Sequence, residues 1–281
     1  MSLTSFIRIS IVLIAGLSAS ACATRPPATN PEAVIAYEEA NDPLEPFNRA
    51  MFRTDQALDK VIVRPVVKTY QTVVPEGGRR SVGNFLRNLH SPVTLIHDVL
   101  QGEPGRAGIT ISRFFVNTFI GVLGLFDVGE EVGLPYHSED FGQTLAVWGL
   151  GDGPFIYTPL FGPSTLRDGT GFGVDAFFVD PLAWYSRGNG AETWIQWAVL
   201  GGTFINIKDE TMFATDELKA SSIDYYASLR SAYRQIRASE IRNGAPPPME
   251  DFDEFSSTFE TPALAAQTAS EKPQTPLTSE R

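Results

Sequence analysis

The sequence predicts an all-α fold in which helices alternate with irregular segments rich in glycine and proline. Helix start and stop signals recur through the middle of the chain, and no stretch alternates apolar and polar residues for the length of a strand. Short β-prone runs such as Val61-Ile62-Val63 are isolated from one another. These observations favour a single helical domain between two termini of different character.

The first predicted helix begins at Asp42-Pro43-Leu44-Glu45. This segment combines an Asp at the N-cap, a proline in the first turn and a Glu three residues after the cap. We therefore expect the Asp42 side chain to cap the helix. The amphipathic pattern that follows should kink or end at Pro65, because proline has no N–H to donate.

Four further helices are predicted from the same kinds of signal. They cover Ser81–Leu89, Ser91 to about Gly102, Ile109–Leu123 and about Asp216–Arg242. Ser91-Pro92 supplies a cap and a first-turn proline, so we expect a boundary there. Asn243-Gly244 is a typical helix C-terminal stop.

Two apolar segments differ from ordinary amphipathic helices. Phe114–Phe126 is apolar on almost all sides, and Phe141–Leu166 carries one charge, Asp152. The second segment is long enough to cross a bilayer, but its glycines and prolines would leave backbone groups unsatisfied in lipid. It is either a buried core segment or irregular backbone that lines a cavity or loops at membrane depth. Trp194–Leu200 is a third apolar run, with two tryptophans.

The N-terminus is typical of an exported protein. Residues 1–21 contain one basic residue, an apolar run over Ile9–Leu17 and four small residues before Cys22. Cys22, the only cysteine, is either lipidated as the first residue of the mature protein, or it is removed with the signal peptide or left as a spare thiol. We expect lipidation, and we expect residues 22–40 to be a tether that joins the lipid to the folded part.

The predicted domain covers residues 41–243, and residues 244–281 form a tail of another composition. The tail carries seven acidic residues against two basic ones, together with several prolines, which predicts a disordered acidic segment. The net charge of -11 argues against nucleic acid as a partner. His90, His97 and His137 form no pair with metal-ligand spacing, so no metal is expected. No strand precedes the single glycine motif at residues 171–176, so no nucleotide cofactor is expected either.

The order of short motifs through the domain carries a family resemblance. They are Asn41-Asp42-Pro43-Leu44-Glu45-Pro46-Phe47-Asn48-Arg49, Val63-Arg64-Pro65-Val66, Arg113-Phe114-Phe115-Val116-Asn117-Thr118, Phe141-Gly142-Gln143-Thr144-Leu145 and Gly162-Pro163-Ser164-Thr165-Leu166-Arg167-Asp168. In these motifs, over about Asn41 to Glu240, the chain resembles the MlaA (VacJ) family of outer-membrane lipoproteins.

The resemblance implies a lipid-anchored, disc-shaped helical domain, embedded in the outer membrane from the periplasmic side beside a trimeric porin. It implies removal of mislocalised phospholipids from the outer leaflet through an amphipathic channel. A periplasmic lipid-binding carrier protein would then accept them, and lipid asymmetry would be maintained without nucleotide or covalent chemistry. Two alternatives are a lipid-hydrolysing enzyme, with His137 and Ser138 as its residues, and a structural surface lipoprotein.

Six polar residues in or near the apolar segments are candidates for the lipid path. The competing interpretation for each is a helix cap or a hydrogen bond between packed helices. The candidates are Asn117, Asp127, Gln143, Asp152, Arg167 and Asp168.

Overall fold

The computed structural model describes residues 40–189 and 193–246, together with residues 26, 27, 29, 30, 34 and 37. The signal peptide, Cys22, most of the tether and nearly all of the acidic tail lie outside the described residues. The predictions made for those regions stay predictions. Residues up to Ile236 form one compact unit, and a second unit begins at Arg237.

The described chain is mostly helical, which confirms the predicted fold class. In order, the elements are α1 (Glu45–Leu58), a π-helical turn (Asp59–Val63), α2 (Arg64–Val73), α3 (Glu76–Leu100), α4 (Pro104–Phe119), α5 (Val128–Glu131), α6 (Phe141–Val147), β1 (Phe155–Thr158), β2 (Gly162–Thr165), α7 (Leu166–Val174), a second π-helical turn (Asp175–Val179), α8 (Pro181–Asn189), α9 (Thr193–Ser221) and α10 (Tyr225–Ile241).

Helix α1 begins where the sequence predicts, but the Asp42 side chain does not cap it. Only the backbone carbonyl of Asp42 accepts the N–H of Glu45, at 3.1 Å. The carboxylate is buried, and it accepts hydrogen bonds from Asn48 Nδ2 at 2.7 Å, Arg230 Nη1 at 2.7 Å and the Tyr226 hydroxyl. Asp42 therefore links α1 to α10. The capping prediction was wrong because an arginine far along the chain offers the carboxylate a stronger partner.

The break near Pro65 takes the form of a π-helical turn. Helix α1 ends at Leu58, the turn covers Asp59–Val63, and Pro65 lies in the first turn of α2. Proline is tolerated there because the first N–H groups of a helix have no partner within it.

The boundary predicted at Ser91-Pro92 was wrong, because α3 continues through it. The Ser91 hydroxyl donates to the Arg87 carbonyl at 3.2 Å instead of capping a new helix. An internal proline costs roughly 3 kcal/mol. Burial of Val93, Thr94 and His97 in the following turns offsets this cost.

The boundaries of the later helices also differ from the prediction. Helix α4 runs over Pro104–Phe119 rather than Ile109–Leu123, and the long last helix is two helices. Helix α10 begins after Asp224, whose Oδ1 accepts the N–H of Ala227 at 3.2 Å. As predicted, Asn243 and Gly244 follow the last helix, both with positive φ.

The second apolar segment contains a hairpin that the sequence did not predict. Strands β1 and β2 pair antiparallel, from Phe155 opposite Thr165 to Thr158 opposite Gly162. On the free edge of β1, the Asn48 side chain accepts the N–H of Tyr157 and donates to the carbonyl of Phe155, each at 3.0 Å. A buried side-chain amide of α1 therefore takes the place of a third strand.

Burial in this protein is unusual, because more polar than apolar residues are buried. Among the described residues, 18 polar or charged residues are buried against 8 apolar ones. Large apolar side chains lie on the surface instead, including Phe119 and Trp197 with about 70% or more of their surface exposed. In soluble monomers, exposed apolar area on this scale marks an interaction surface.

Within the described residues, none of the helices combines the length and the apolar character needed to cross a bilayer.

Candidate functional site

A cavity of about 900 Å³ lies between the hairpin, α7 and α9. One wall comes from the hairpin and its surroundings, where Ile156, Leu160 and Phe161 are apolar. The Phe161 ring packs 5.6 Å from the ring of Phe172 on α7, measured between centroids. The second apolar segment therefore combines the two alternatives left open, because it lines a cavity and also places Phe155 and Tyr157 in the buried core.

The opposite wall is one face of α9. Its lining residues recur every three or four positions, which is the repeat of a single helix face. These residues are Leu200, Thr203, Phe204, Ile207, Lys208, Thr211, Met212, Thr215 and Lys219. From Leu200 to Lys219 the face extends over about 28 Å at 1.5 Å per residue. It is apolar near Leu200 and Phe204 and polar near Lys219, so the wall is amphipathic along its length.

Asp55 fixes the position of the hairpin, which forms one wall of the cavity. It is a buried residue of α1, and its Oδ2 accepts the Tyr157 hydroxyl at 2.8 Å. Its Oδ1 accepts the backbone N–H of Leu160, also at 2.8 Å. Burial, followed by the charge of Asp55, raises the pKa of Tyr157 far above its ordinary value, so this hydroxyl remains a donor. The tip of the hairpin is thus fixed by a charged group.

An ion-pair cluster closes the polar end of the cavity. Arg64 donates two bonds to Asp216 on α9, at 2.8 and 2.7 Å, and one to Asp59 at 3.1 Å. The hydrogen bond to Asp216 is the main reason that the pKa of Arg64 is raised, and the same bond lowers the pKa of Asp216. This cluster joins α2 to α9.

A second feature is the apolar loop, defined as residues 120–126, between α4 and α5. Ile120, Val122, Leu123 and Phe126 are each more than half exposed. Val122 and Leu123 have φ of 54° and 60°, a conformation that a β-branched residue adopts only when its surroundings enforce it. The loop is therefore an apolar projection that is held rigid.

Two of the predicted residues support this loop. Asn117 has its carbonyl bonded to the N–H of Gly124 at 2.8 Å and its Nδ2 bonded to Asp127 at 3.0 Å. Asp127 accepts two bonds from Arg113, at 2.7 and 2.6 Å, and caps α5 through the N–H of Glu130. Both residues border a polar pocket of about 10 Å³, which is room for one water molecule.

The other four candidates are also hydrogen-bonded or ion-paired. Gln143 Nε2 donates to the carbonyl of Ser138 at 3.1 Å, and Asp152 forms an ion pair with Arg234 at 3.1 Å. Arg167 and Asp168 pair with each other at 2.9 Å, and the Tyr233 hydroxyl donates to Asp168 at 2.6 Å.

None of the six candidates is among the residues that line the large cavity. Their part in a lipid path stays a prediction, and their observed contacts are of the kind that packs helices together. The residues that sequence reasoning missed are Lys208 and Lys219 on the cavity face of α9. The regular spacing of that face was visible, but the helix was expected to begin only at Asp216.

Two histidine clusters bear on the enzyme alternative. His97 has Thr144 Oγ1 at 3.0 Å from Nδ1 and Asp175 Oδ1 at 2.9 Å from Nε2, so a hydroxyl, an imidazole and a carboxylate are in contact, but the two ring nitrogens have exchanged the roles they play in a hydrolase triad. Both His97 and Thr144 have no exposed surface, so substrate cannot reach them. His137 uses one nitrogen, Nε2, for both Thr110 and Asp98, which is not triad geometry.

No group of three or more potential metal-ligating side chains occurs in the part of the chain that the structure describes.

Comparison with known proteins places this architecture among relatives. A family model described as MlaA lipoprotein matches residues 40–240. A protein of Escherichia coli strain K12, named intermembrane phospholipid transport system lipoprotein MlaA, is 34% identical over 211 residues, which cover 73% of this chain and 79% of the relative. The protein of the same name from Haemophilus influenzae is 28% identical over 212 residues, covering 73% and 81%.

A solved structure is similar as well. It is described as the structural basis for maintenance of bacterial outer membrane lipid asymmetry, and it matches with a TM-score of 0.62 and 33% identity. The match covers 71% of this chain and 98% of the solved chain.

Proposed function

This chain belongs to the MlaA lipoprotein family, and we propose that it removes mislocalised phospholipids from the outer leaflet of the outer membrane through its cavity. Its role is in phospholipid transport and outer-membrane lipid asymmetry. The amphipathic cavity between the hairpin and α9 is the observation that carries the finer proposal.

The amphipathic lining and the volume of the cavity support a phospholipid as its cargo. A phospholipid that crosses a membrane needs a polar path for its head while its acyl chains stay in apolar surroundings. The cavity offers Phe161, Phe172 and Phe204 to acyl chains, and it offers hydroxyls and cations of α9 to the head. A volume of about 900 Å³ is at the upper end for small-molecule pockets, as a lipid requires.

The exposed apolar surface supports embedding in the membrane, which we propose occurs from the periplasmic side. The apolar loop and the exposed aromatic residues would be costly in water, whereas burial in hydrocarbon stabilises them by roughly 25 cal/mol per Å². Charged groups in the interior pair with each other, as Arg113 does with Asp127, and so do not need water. Lipidation of Cys22, outside the described residues, would add a permanent anchor.

The remaining parts of the proposal concern partners. Part of the exposed apolar surface would contact a trimeric porin in the same membrane. The cargo then needs a periplasmic lipid-binding carrier protein, because a phospholipid cannot cross an aqueous compartment alone. We propose no covalent step, since the His97 and His137 clusters serve packing, and we assign no role to nucleic acid or to a cofactor.

The test compares wild-type and deletion cells for phospholipid in the outer leaflet of the outer membrane. We expect a rise on deletion that the intact gene reverses. No rise, in cells without a second copy, would contradict the transport proposal and favour a structural lipoprotein. Release of fatty acid by the purified protein, abolished by Ser138→Ala, would favour the hydrolase instead.

A further inference from the structure

The cavity face of α9 carries a polar stripe beside its apolar one. Lys208, Thr211, Thr215 and Lys219 are separated by three, four and four residues, so their side chains follow one line along the helix. We call these four residues the polar stripe. The apolar residues Phe204, Ile207 and Met212 lie next to it on the same face.

Both lysines of the polar stripe lack an acidic partner among the described residues. Lys219 Nζ donates to Gln56 Oε1 at 3.0 Å and lies 5.7 Å from the ring centroid of Tyr225. Lys208 Nζ lies 5.6 Å from the ring centroid of Phe204. Two ammonium groups therefore face the cavity without a hydrogen bond to a carboxylate among the described residues, although Asp216 attracts Lys219 electrostatically.

The acidic residues that line the cavity bind partners other than these two lysines. Asp55 uses both carboxylate oxygens for the hairpin, through Tyr157 and Leu160. Asp59 pairs with Arg64 at 3.1 Å. Arg64 also pairs with Asp216, so Lys208 and Lys219 are the cations of the described lining that no carboxylate hydrogen-bonds.

We propose that the cavity selects phospholipids whose heads carry a net negative charge, and that Lys208 and Lys219 bind the lipid phosphate in turn. This inference rests on the proposed transport function and names the class of lipid that the site prefers. The two lysines are eleven residues apart, or about 16 Å along the helix, so they mark two separate positions for one phosphate.

Charge complementarity distinguishes the two main kinds of phospholipid head. A zwitterionic head carries its own ammonium group, which repels the lysines and weakens their attraction for the phosphate. An anionic head such as phosphatidylglycerol has no such cation. Thr211 and Thr215 lie between the lysines, but their hydroxyls donate to backbone carbonyls of α9, so the lysines supply the groups that bind the phosphate.

The experiment uses the full-length lipidated protein, purified in detergent and incubated with mixed micelles of equal phosphatidylglycerol and phosphatidylethanolamine. After repurification, mass spectrometry gives the ratio of the two bound lipids. We expect a ratio of about three or more for the wild type, because exposed or half-buried ion pairs each contribute a factor of roughly 1.4 to 5. Lys208→Gln with Lys219→Gln should bring the ratio close to one.

The matched control is Lys60→Gln, which removes an exposed lysine outside the cavity and should leave the ratio unchanged. Lys208→Arg with Lys219→Arg keeps the charge and should keep the preference. The single variants Lys208→Gln and Lys219→Gln continue the test if the double variant does not fold.

A wild type that binds both lipids equally would overturn the inference and leave the transport function standing. Lysine variants that behave like Lys60→Gln would overturn it in the same way. A wild type that binds neither lipid would contradict the proposed function itself.

Discussion

Asp55 and Leu160 are joined by a hydrogen bond of 2.8 Å in which a carboxylate on α1 accepts the backbone N–H at the tip of the hairpin. Leu160 has φ of 72°, a conformation that costs free energy for a residue with a side chain. The hairpin keeps this shape because a buried charge fixes it. The tip of this cavity wall is therefore held by Asp55, whereas the edge of β1 is held by Asn48.

We predict that Asp55→Ala lowers stability strongly. It leaves the Leu160 N–H and the Tyr157 hydroxyl without their partner, and each unmade buried hydrogen bond costs about 1–3 kcal/mol. The midpoint of thermal unfolding in detergent should fall by about 5 °C or more. Tyr157→Phe removes one of the two bonds and should cause a smaller fall. An unchanged midpoint for Asp55→Ala would show that the hairpin is held by other contacts.

We predict a pH-dependent effect for the Arg64–Asp216 pair. The hydrogen bonds of Arg64 hold the pKa of Asp216 below its ordinary value, so the folded protein binds this proton less tightly than the unfolded chain does. The pair therefore stabilises the fold above the unfolded pKa of about 3.9, and this stability is lost as the pH falls through the folded value.

The measurement is the unfolding midpoint of Asp216→Asn against pH. At pH 7 the variant should unfold a degree or two below the wild type, because an exposed pair contributes roughly 0.2–1 kcal/mol. The difference should shrink as the pH is lowered below about 4. Glu217→Gln removes a neighbouring exposed acid and should show no such trend. A difference that is the same at pH 3 and pH 7 would rule out the ion pair as its cause.

We predict that the apolar loop helps to retain the protein in the membrane. In a Cys22→Ala background, Leu123→Asp with Phe126→Asp should move much of the protein to the soluble fraction, because charges in hydrocarbon are strongly unfavourable. Both side chains are more than half exposed, so the fold should tolerate the change. Leu123→Ala with Phe126→Ala is the matched control and should have a smaller effect. Equal fractionation of the two variants would mean that the loop does not contact lipid.

The sequence predicts the helical class and the position of α1, because start signals and amphipathic spacing are local properties. The sequence-based prediction fails where contacts with residues far along the chain determine the local structure. The carboxylate of Asp42 is drawn from its cap position by Arg230, 188 residues away along the chain. Burial around His97 carries α3 through Pro92. Neither effect can be recognised from nearby residues.

The cavity was likewise predictable only where neighbouring residues determine its structure. Glycine and proline in the second apolar segment correctly argued against a spanning helix, but the strands are four residues long and their edge partner is the side chain of Asn48. The polar stripe was missed because the predicted last helix began at about Asp216, so it included Lys219 but not Lys208. Only when α9 is seen as one helix do Lys208 and Lys219 fall on one face.

The central claim is that phospholipid passes through the cavity, and blocking it is the most direct test. Thr211→Trp places a large ring on the cavity face of α9, between the two lysines. Thr69→Trp is its matched control, because each threonine is exposed and donates its hydroxyl to the carbonyl four residues earlier, at 2.7 and 2.8 Å.

The measurement is outer-leaflet phospholipid in deletion cells that carry each variant at equal amounts in the outer membrane. The account predicts that Thr211→Trp leaves the lipid level as high as in the deletion strain, whereas Thr69→Trp restores the wild-type level. Full restoration by Thr211→Trp would contradict passage through this cavity.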